Sequence, residues 1–400
     1  LYLPHIGLFI ISTCFLANQI KSMLYLYYTI KELTMRKKIY ITCLHLNHGG
    51  VEMAITLLAN ALVKYNYEVE ILCTYNFGSP VYPLNKEVKV RYLTDVLPNR
   101  ESFYAALHSK NPFRICSDGF HALKTLYLKK HCLAKAISNI HNGTIISTRN
   151  EDTVILSKYG NANVKKIAQL HHDHKFDKHL IRDFQKKYSN IDYFVLLTET
   201  LRSEISDMMK PFNQKTKCIT IPNFIDLPAD TKFPQKSKQV VSVGRLHTDK
   251  GFDRLIDAWS IVHAIHPDWK LKIIGDGPLS DALHTYSEKH SLTNSIIFTG
   301  ALSHELTMQE MMTSSVYAMT SISEAFPFVL LEAMENYLPI VAYDVRVGPK
   351  ALIQPEKNGY LIPDGDSHAF AAAICKLIEN PSLLHEFQMN SFSCVQSFSQ

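Results

Sequence analysis

The chain has no Cys-x-x-C pair, and its eight cysteines, scattered from Cys14 to Cys394, share no metal-ligand spacing. That excludes a disulfide scaffold and a zinc ribbon, and leaves reduced, mostly buried thiols of a cytosolic protein as the expectation. Apolar runs of membrane-spanning length are also lacking. The most apolar stretch, residues 1–17, is interrupted by Pro4, His5 and Gly7, has no basic start and is short for a span. Gly275-Asp276-Gly277 imitates half of a dinucleotide fingerprint, but no third glycine follows at the right spacing, so a nicotinamide cofactor is not expected. The basic part of the chain shows neither a recognition-helix nor a zinc-finger pattern, and nucleic acid is not an expected partner.

Length and charge come next. Four hundred residues suit two domains, and a hydrophobic share of 46% permits a large core in each. Residues 35–222 hold 27 Lys and Arg against 16 Asp and Glu, whereas residues 223–400 hold 13 against 20. A basic half precedes an acidic one. The basic half suits an anionic partner, and its alternative is uneven surface decoration. Residues 1–34 read unlike the rest, and the first buried strand begins only at Ile39, after Met35-Arg36-Lys37-Lys38. The expectation is that 1–34 is a leader outside the fold, either upstream sequence or a weak membrane-associated segment.

Short apolar strands alternate with helical stretches. Strands are expected at 39–43, 68–73, 88–93, 144–147, 166–170 and 193–197, then at 240–243, 269–274, 296–300, 316–320 and 338–344. Such alternation argues for parallel sheets covered on both faces. The first strand leads through Gly49-Gly50 into a helix, the start of a Rossmann-like unit, where glycine lets the backbone approach a ligand closely. Between strands, Leu123, Leu126, Tyr127, Leu133, Ala134 and Ile137 form a stripe at helical spacing, accompanied by Lys124, Lys129, Lys130 and Lys135. That helix packs on the core with a solvated face, or lies on an anionic membrane. Residues 227–238, with Pro228 and Pro234, read as a linker.

The chemistry concentrates in the second half. Residues 323–332 carry two acids, Glu324 and Glu332, on either side of an apolar run. A turn at Ala325-Phe326-Pro327 leaves Glu324 on a loop and starts a helix at Phe328 and Val329, whose free N–H groups suit a phosphate. Glu332 lies one turn deeper, where a carboxylate can accept ribose hydroxyl protons. Upstream, a strand ends in Gly244-Arg245, with Lys250 five residues later on the same loop before another helix. A planar guanidinium and a point-charge ammonium together suit a diphosphate. His171-His172-Asp173-His174 follows the strand at 166–170, but it lacks the i, i+4 spacing and the partner ligands of a metal site, so no metal is expected there.

The spacing from Glu324 to Glu332 resembles the E-x7-E signature of the retaining glycosyltransferases of family 4 (group 1). Gly244-Arg245-Leu246 with Lys250-Gly251 resembles that family's G-R-L-x-x-x-K-G motif, and the resemblance extends from Met35 to about Gln400. It implies GT-B architecture: two Rossmann-like α/β domains facing each other across a cleft, an acceptor domain at 35–222 and a nucleotide-sugar domain at 223–400. It implies transfer of a hexose from a nucleotide sugar, UDP-linked, with retention, and with no metal and no cofactor beyond that co-substrate. The acceptor would be a surface glycan, a lipid-linked glycan or a cell-wall polymer, met in the cytoplasm or peripherally at the inner face of an anionic membrane. On this resemblance Glu324 holds the donor sugar and Glu332 the ribose. Arg245, Lys250, Gly49, Gly50, Phe328 and Val329 serve the donor diphosphate. His171, with His172 as the next candidate, contacts the sugar or the reacting centre. Two departures are expected to matter: Phe224 stands where the family has glycine, and the long final helix of the family does not follow Ser391. The rivals are a GT-B nucleotide-sugar epimerase and a truncated, non-catalytic nucleotide-binding paralogue.

Overall fold

The computed structural model describes residues 38–227 and 232–399. The leader, 228–231 of the linker and Gln400 lie outside them. The chain divides into two compact units between Ile221 and Pro222.

In the first unit the order is β1 (Lys38–Cys43), α1 (Gly50–Lys64), β2 (Glu68–Tyr75), β3 (Lys89–Thr94), α2 (Arg100–Ser109), α3 (Pro112–Ser138) and β4 (Thr144–Ser147). There follow α4 (Asn150–Tyr159), β5 (Lys165–Leu170), α5 (Lys178–Lys187), β6 (Tyr193–Leu196), α6 (Glu199–Met209) and β7 (Lys217–Thr220). The strands pair in parallel in the order β3-β2-β1-β4-β5-β6-β7. Inner strands are the buried ones: every residue of β4 and β6 is buried. A strand covered on both faces has no solvated side to fill with polar residues. Edge strand β3 alternates Lys89 and Arg91 with apolar partners instead. Helix starts follow capping chemistry. Asn111 accepts bonds from the Phe113 and Arg114 amides ahead of α3, with Pro112 in its first turn.

The second unit repeats the plan with β8 (Gln239–Val243), α7 (Phe252–Ile265), β9 (Lys270–Ile274), α8 (Ser280–Lys289), β10 (Ile296–Phe298), α9 (His304–Thr313) and β11 (Val316–Met319). It continues through α10 (Phe328–Glu335), β12 (Ile340–Tyr343), β13 (Gly359–Ile362), α11 (Ser367–Glu379) and α12 (Pro381–Val395). Its parallel order is β10-β9-β8-β11-β12-β13. The core gathers Trp259, Leu255 and Val262 of α7 with Phe370 and Ile374 of α11 on the β8, β9 and β12 strands. The end of the described chain returns to the start of this unit: the Ile225 amide donates to the Phe398 carbonyl at 3.0 Å, and Phe398 packs edge-on against Phe326.

Two expectations need correcting. Phe224 causes no strained turn, since it is absent from the positive-φ positions, and neighbouring Asn223 bonds the Phe326 carbonyl at 3.2 Å. The stripe on α3 is two surfaces rather than one. Leu133 and Ile137 are buried, while Leu123, Leu126 and Tyr127 are exposed. Of the described cysteines, Cys43, Cys73, Cys375 and Cys394 are buried, Cys132 and Cys218 half-buried and Cys116 exposed.

Candidate functional site

In an open parallel sheet, ligands bind beyond the carboxyl ends of the strands where the order reverses. In the second unit that point lies between β8 and β11, because β9 extends the sheet on one side and β12 on the other. The two motifs read from the sequence sit on the loops after these two strands. Tyr317 joins the strands: its hydroxyl accepts from the Val243 amide at 3.2 Å and donates to the Val243 carbonyl at 3.1 Å.

The loops are then stitched together. After β8, residues 248–250 form a 3-10 turn, and Gly251 takes φ 61° to cap α7. A Cβ on Gly251 would lie 2.4 Å from the Thr320 carbonyl oxygen, so only glycine permits this approach. The Ile322 amide donates to the Asp249 carbonyl at 2.8 Å. Lys250 Nζ donates to Glu324 Oε1 at 2.6 Å, with both side chains mostly buried. Two residues 74 positions apart, chosen as a phosphate cation and a sugar carboxylate, are thus direct partners. A third loop closes on them: Gly348 has φ 94°, and a Cβ there would lie 2.7 Å from Glu324 Cβ. Arg245 is exposed at the head of its loop.

Beyond Glu324, Pro327 precedes α10, and no side chain caps the helix start at Phe328 and Val329. Glu332 lies one turn in and is buried. Its Oε1 accepts from His304 Nε2, the first residue of α9, at 2.9 Å. That bond raises the His304 pKa above 6.5 against the opposing effect of burial. On the same helix, burial and then the charge of Glu332 push the Glu335 carboxyl up to about 7. Glu332, His304 and Glu335 form a chain of titratable groups in which charges compensate or neutralise.

Gly275 and Gly277 have a different use from the one their spacing imitates. A Cβ on Gly275 would lie 1.9 Å from the Gly244 carbonyl oxygen, and one on Gly277 2.5 Å from that of Leu246. The Leu246 amide donates to the Asp276 carbonyl, and the Leu279 amide to Leu246. These glycines let the loop after β9 press onto the loop that carries Arg245.

In the first unit the switch point lies between β1 and β4. Gly49 has φ 156°, and Gly50 opens α1. The carboxylate of Glu52 folds back over this loop, and a Cβ on Gly49 would meet its Oε2 at 2.1 Å. Burial raises the Glu52 pKa, while the charges of His45 and Arg149 oppose that rise. Arg149, two residues after β4 and at the N-cap of α4, also acts on Asp152 and His172. His171 sits at the end of β5, as expected. Its Nε2 lies 3.2 Å from Gln169 Oε1, and burial, with a smaller effect of His172, holds its pKa down at about 4. It is therefore a neutral imidazole at pH 7. His172, the next candidate, is exposed, whereas His174 turns inward, is buried and bonds Glu204 of α6 at 2.9 Å.

Arg149, His304 and Gly348 escaped the sequence reading. For Arg149 the signal was available, as the residue between a buried strand and a helix. For His304 and Gly348 there was none, because their partners come from distant loops. An Asp-x-Asp triplet after a strand, Asp364-Gly365-Asp366, was also passed over. Asp366 caps α11 through the Ala369 amide, and Asp364 is bonded to Arg254. Among the described residues, His266, Cys375 and Glu379 bring donor atoms within 4.8 Å of one another. The first and last of these already form a 3.0 Å pair. No helix of the described residues is long and apolar enough to cross a membrane.

Comparison with known proteins places these geometries in context. Residues 223–393 match the sequence model of a family described as glycosyl transferases group 1. An uncharacterized glycosyltransferase of Haemophilus influenzae is 27% identical over 341 residues, covering 84% of this chain and 88% of that protein. The amylovoran biosynthesis glycosyltransferase AmsD of Erwinia amylovora is 27% identical over 347 residues, covering 85% of this chain and 90% of its own. Among solved structures, a Staphylococcus aureus TarM mutant crystallised with Fondaparinux, alpha-GlcNAc-glycerol and UDP aligns with a TM-score of 0.72. The identity there is 16%, over 91% of this chain and 97% of TarM. The fold is GT-B, with two parallel-sheet α/β domains.

Proposed function

We propose that this protein is a retaining glycosyltransferase of family 4. It moves a hexose from a nucleotide sugar, UDP-linked, to a surface-glycan, lipid-linked or cell-wall polymer acceptor. The observation that carries the reading is the meeting of Lys250 and Glu324, with Glu332 one turn into the helix that follows, beyond the carboxyl ends of β8 and β11. The family match over 223–393, and relatives named for amylovoran biosynthesis and crystallised with UDP, support it.

The chemistry follows from charge. As the glycosidic bond breaks, negative charge grows on the leaving diphosphate. Lys250, Arg245 and the uncapped start of α10 are the groups assigned to stabilise it, in place of a metal. Glu332 accepts from the ribose hydroxyls, oriented by His304. Glu324 holds sugar hydroxyls and keeps Lys250 in position until the diphosphate arrives. In the first unit, Gly49 and Gly50 are assigned to the diphosphate, and the neutral His171 to the sugar.

The test is nucleotide release from a panel of UDP-sugars in the presence of EDTA, with and without membrane lipid extract or cell-wall polymer. The reading expects release that depends on acceptor, survives EDTA and yields an axial linkage from an axial donor. Turnover of donor alone into an epimer would replace transfer with epimerisation. Loss of turnover in EDTA, restored by Mn²⁺, would overturn the metal-free mechanism.

A further inference from the structure

The amino ends of the strands in the second unit carry a side-chain cluster that the transfer site does not use. Helix α7 starts two residues after Lys250 and ends at Ile265, about 20 Å away by the rise of an α-helix. His266 follows as its C-cap. The His266 amide donates to the Val262 carbonyl at 2.8 Å, and its carbonyl accepts from the Trp269 amide at 3.1 Å. The backbone that carries this imidazole is therefore held on both sides. Helix α11 ends beside it. Cys375 and Glu379 stand one turn apart there, so both side chains lie on one face, at the spacing of paired ligands on metal-binding helices. Cys375 is buried and Glu379 is at the surface. Val262 of α7 and Ile374 of α11 belong to one core cluster, which locks the two helices together.

One thiol, one imidazole and one carboxylate thus bring donor atoms within 4.8 Å of one another. His266 and Glu379 come from positions 113 residues apart, and no local spacing in the sequence announces them. Tetrahedral zinc wants its donors about 3.3–3.7 Å apart, given bonds of about 2.0–2.3 Å. An adjustment of roughly 1 Å closes the set, and the exposed side chain of Glu379 has the freedom to make it. The neighbouring cation is drawn off: Lys376 bonds Glu356 at 3.3 Å and lies over the Tyr360 ring. A groove of about 510 Å³, with Ile261, Ile265 and Leu383 in its wall, opens beside the three donors. An ion pair alone needs only the imidazole and the carboxylate, and has no use for a buried thiol at the same point. Sulfur with imidazole selects zinc over magnesium or calcium, which need shells of oxygen.

We infer that His266, Cys375 and Glu379 form a zinc site, with a fourth position open to the groove. On binding, the thiol proton of Cys375 leaves to solvent and the ligating ring nitrogen gives up its own, so the ion takes the place of the His266–Glu379 hydrogen bond. The ion ties the end of α7 to the end of α11 and braces the second unit. The inference does not depend on the transfer reading, and a bracing ion this far from Lys250 is compatible with transfer that uses no metal.

The experiment strips the full chain with a chelator, removes the chelator, and titrates with Co²⁺ or Zn²⁺ in excess Mg²⁺. Co²⁺ is expected to give the visible bands of a tetrahedral site and a thiolate-to-cobalt charge-transfer band. Zn²⁺ should displace it and raise the melting temperature by at least about 2 °C. Cys375→Ser should abolish the charge-transfer band, whereas Cys116→Ser, at the exposed thiol of the first unit, should leave it intact. His266→Gln and Glu379→Gln should each weaken Zn²⁺ binding at least about tenfold, the cost of losing even an outer partner of a metal. Glu379→Gln alters a surface side chain and should leave the melting temperature of the metal-free protein nearly unchanged, so its loss of binding is not a loss of fold. Wild-type Zn²⁺ affinity in both glutamine variants would overturn the inference and assign the metal to scattered surface histidines. A charge-transfer band that Cys375→Ser keeps, or a melting temperature that ignores Zn²⁺, would overturn it as well.

Discussion

At the scale of single residues, the account turns on charges that hold one another in readiness. Lys250 is tied to Glu324 at 2.6 Å, so replacing it frees a mostly buried carboxylate as well as removing a phosphate partner. Lys250→Ala is expected to lower the transfer rate by roughly ten- to a hundredfold, the worth of one charge-assisted bond. Arg245→Ala should fall in the same range. Steady-state kinetics check both, and wild-type turnover in the pair would remove the diphosphate role. The His304–Glu332 bond has a pH signature. Its folded pKa lies above the ordinary 6.5, because the carboxylate favours the charged ring. The pair therefore contributes in full below about 6.5 and is lost as pH rises through the higher folded value. Titration of the His304 ring by NMR should show that raised value, and Glu332→Gln should bring it back towards 6.5. An identical titration in the variant would show that the carboxylate does not hold the ring.

At the scale of elements, glycines let loops cross. Gly275, with φ 144°, leaves no room for a Cβ against the Gly244 carbonyl, whereas Gly300, with φ 71°, faces nothing within 4 Å. Gly275→Ala should cost on the order of 3 kcal/mol, clash added to backbone strain, and Gly300→Ala about 1 kcal/mol from strain alone. Urea unfolding of the two variants checks the difference, and equal midpoints would contradict it. This is also where sequence reading reached its limit. The β8 to Lys250 stretch and the Glu324 to Glu332 stretch were legible, because strand, turn and helix are local patterns. That Gly275 serves loop packing was not legible, because the same glycine spacing serves phosphate loops elsewhere. Which part of α3 is covered was not legible for a related reason. Periodicity reports which residues share a face, not whether anything covers it. Phe113 and Phe120 lay beyond the stripe that the buried Leu133 and Ile137 anchored.

At the scale of the molecule, one plan is used twice: a parallel sheet whose order reverses beside its first strand, with chemistry on the loops at that point. The alternation of short apolar strands and helices made this legible. The pairings across it were not, since His304 finds Glu332 and Gly348 finds Glu324 only after the sheet has formed. The charge division is equally a whole-chain property, with the basic part before Asn223 and the acidic part after it. On the proposed reading an acidic second unit holds an anionic donor by setting Lys250, Arg245 and a helix start against that background. The most direct test of this central claim is a crystal structure of the protein with UDP. The account predicts the nucleotide beyond the ends of β8 and β11, its ribose hydroxyls on Glu332 and its diphosphate against Lys250 and the amides of Phe328 and Val329. A nucleotide bound away from these residues, or one that leaves Glu332 without a ribose contact, would contradict it.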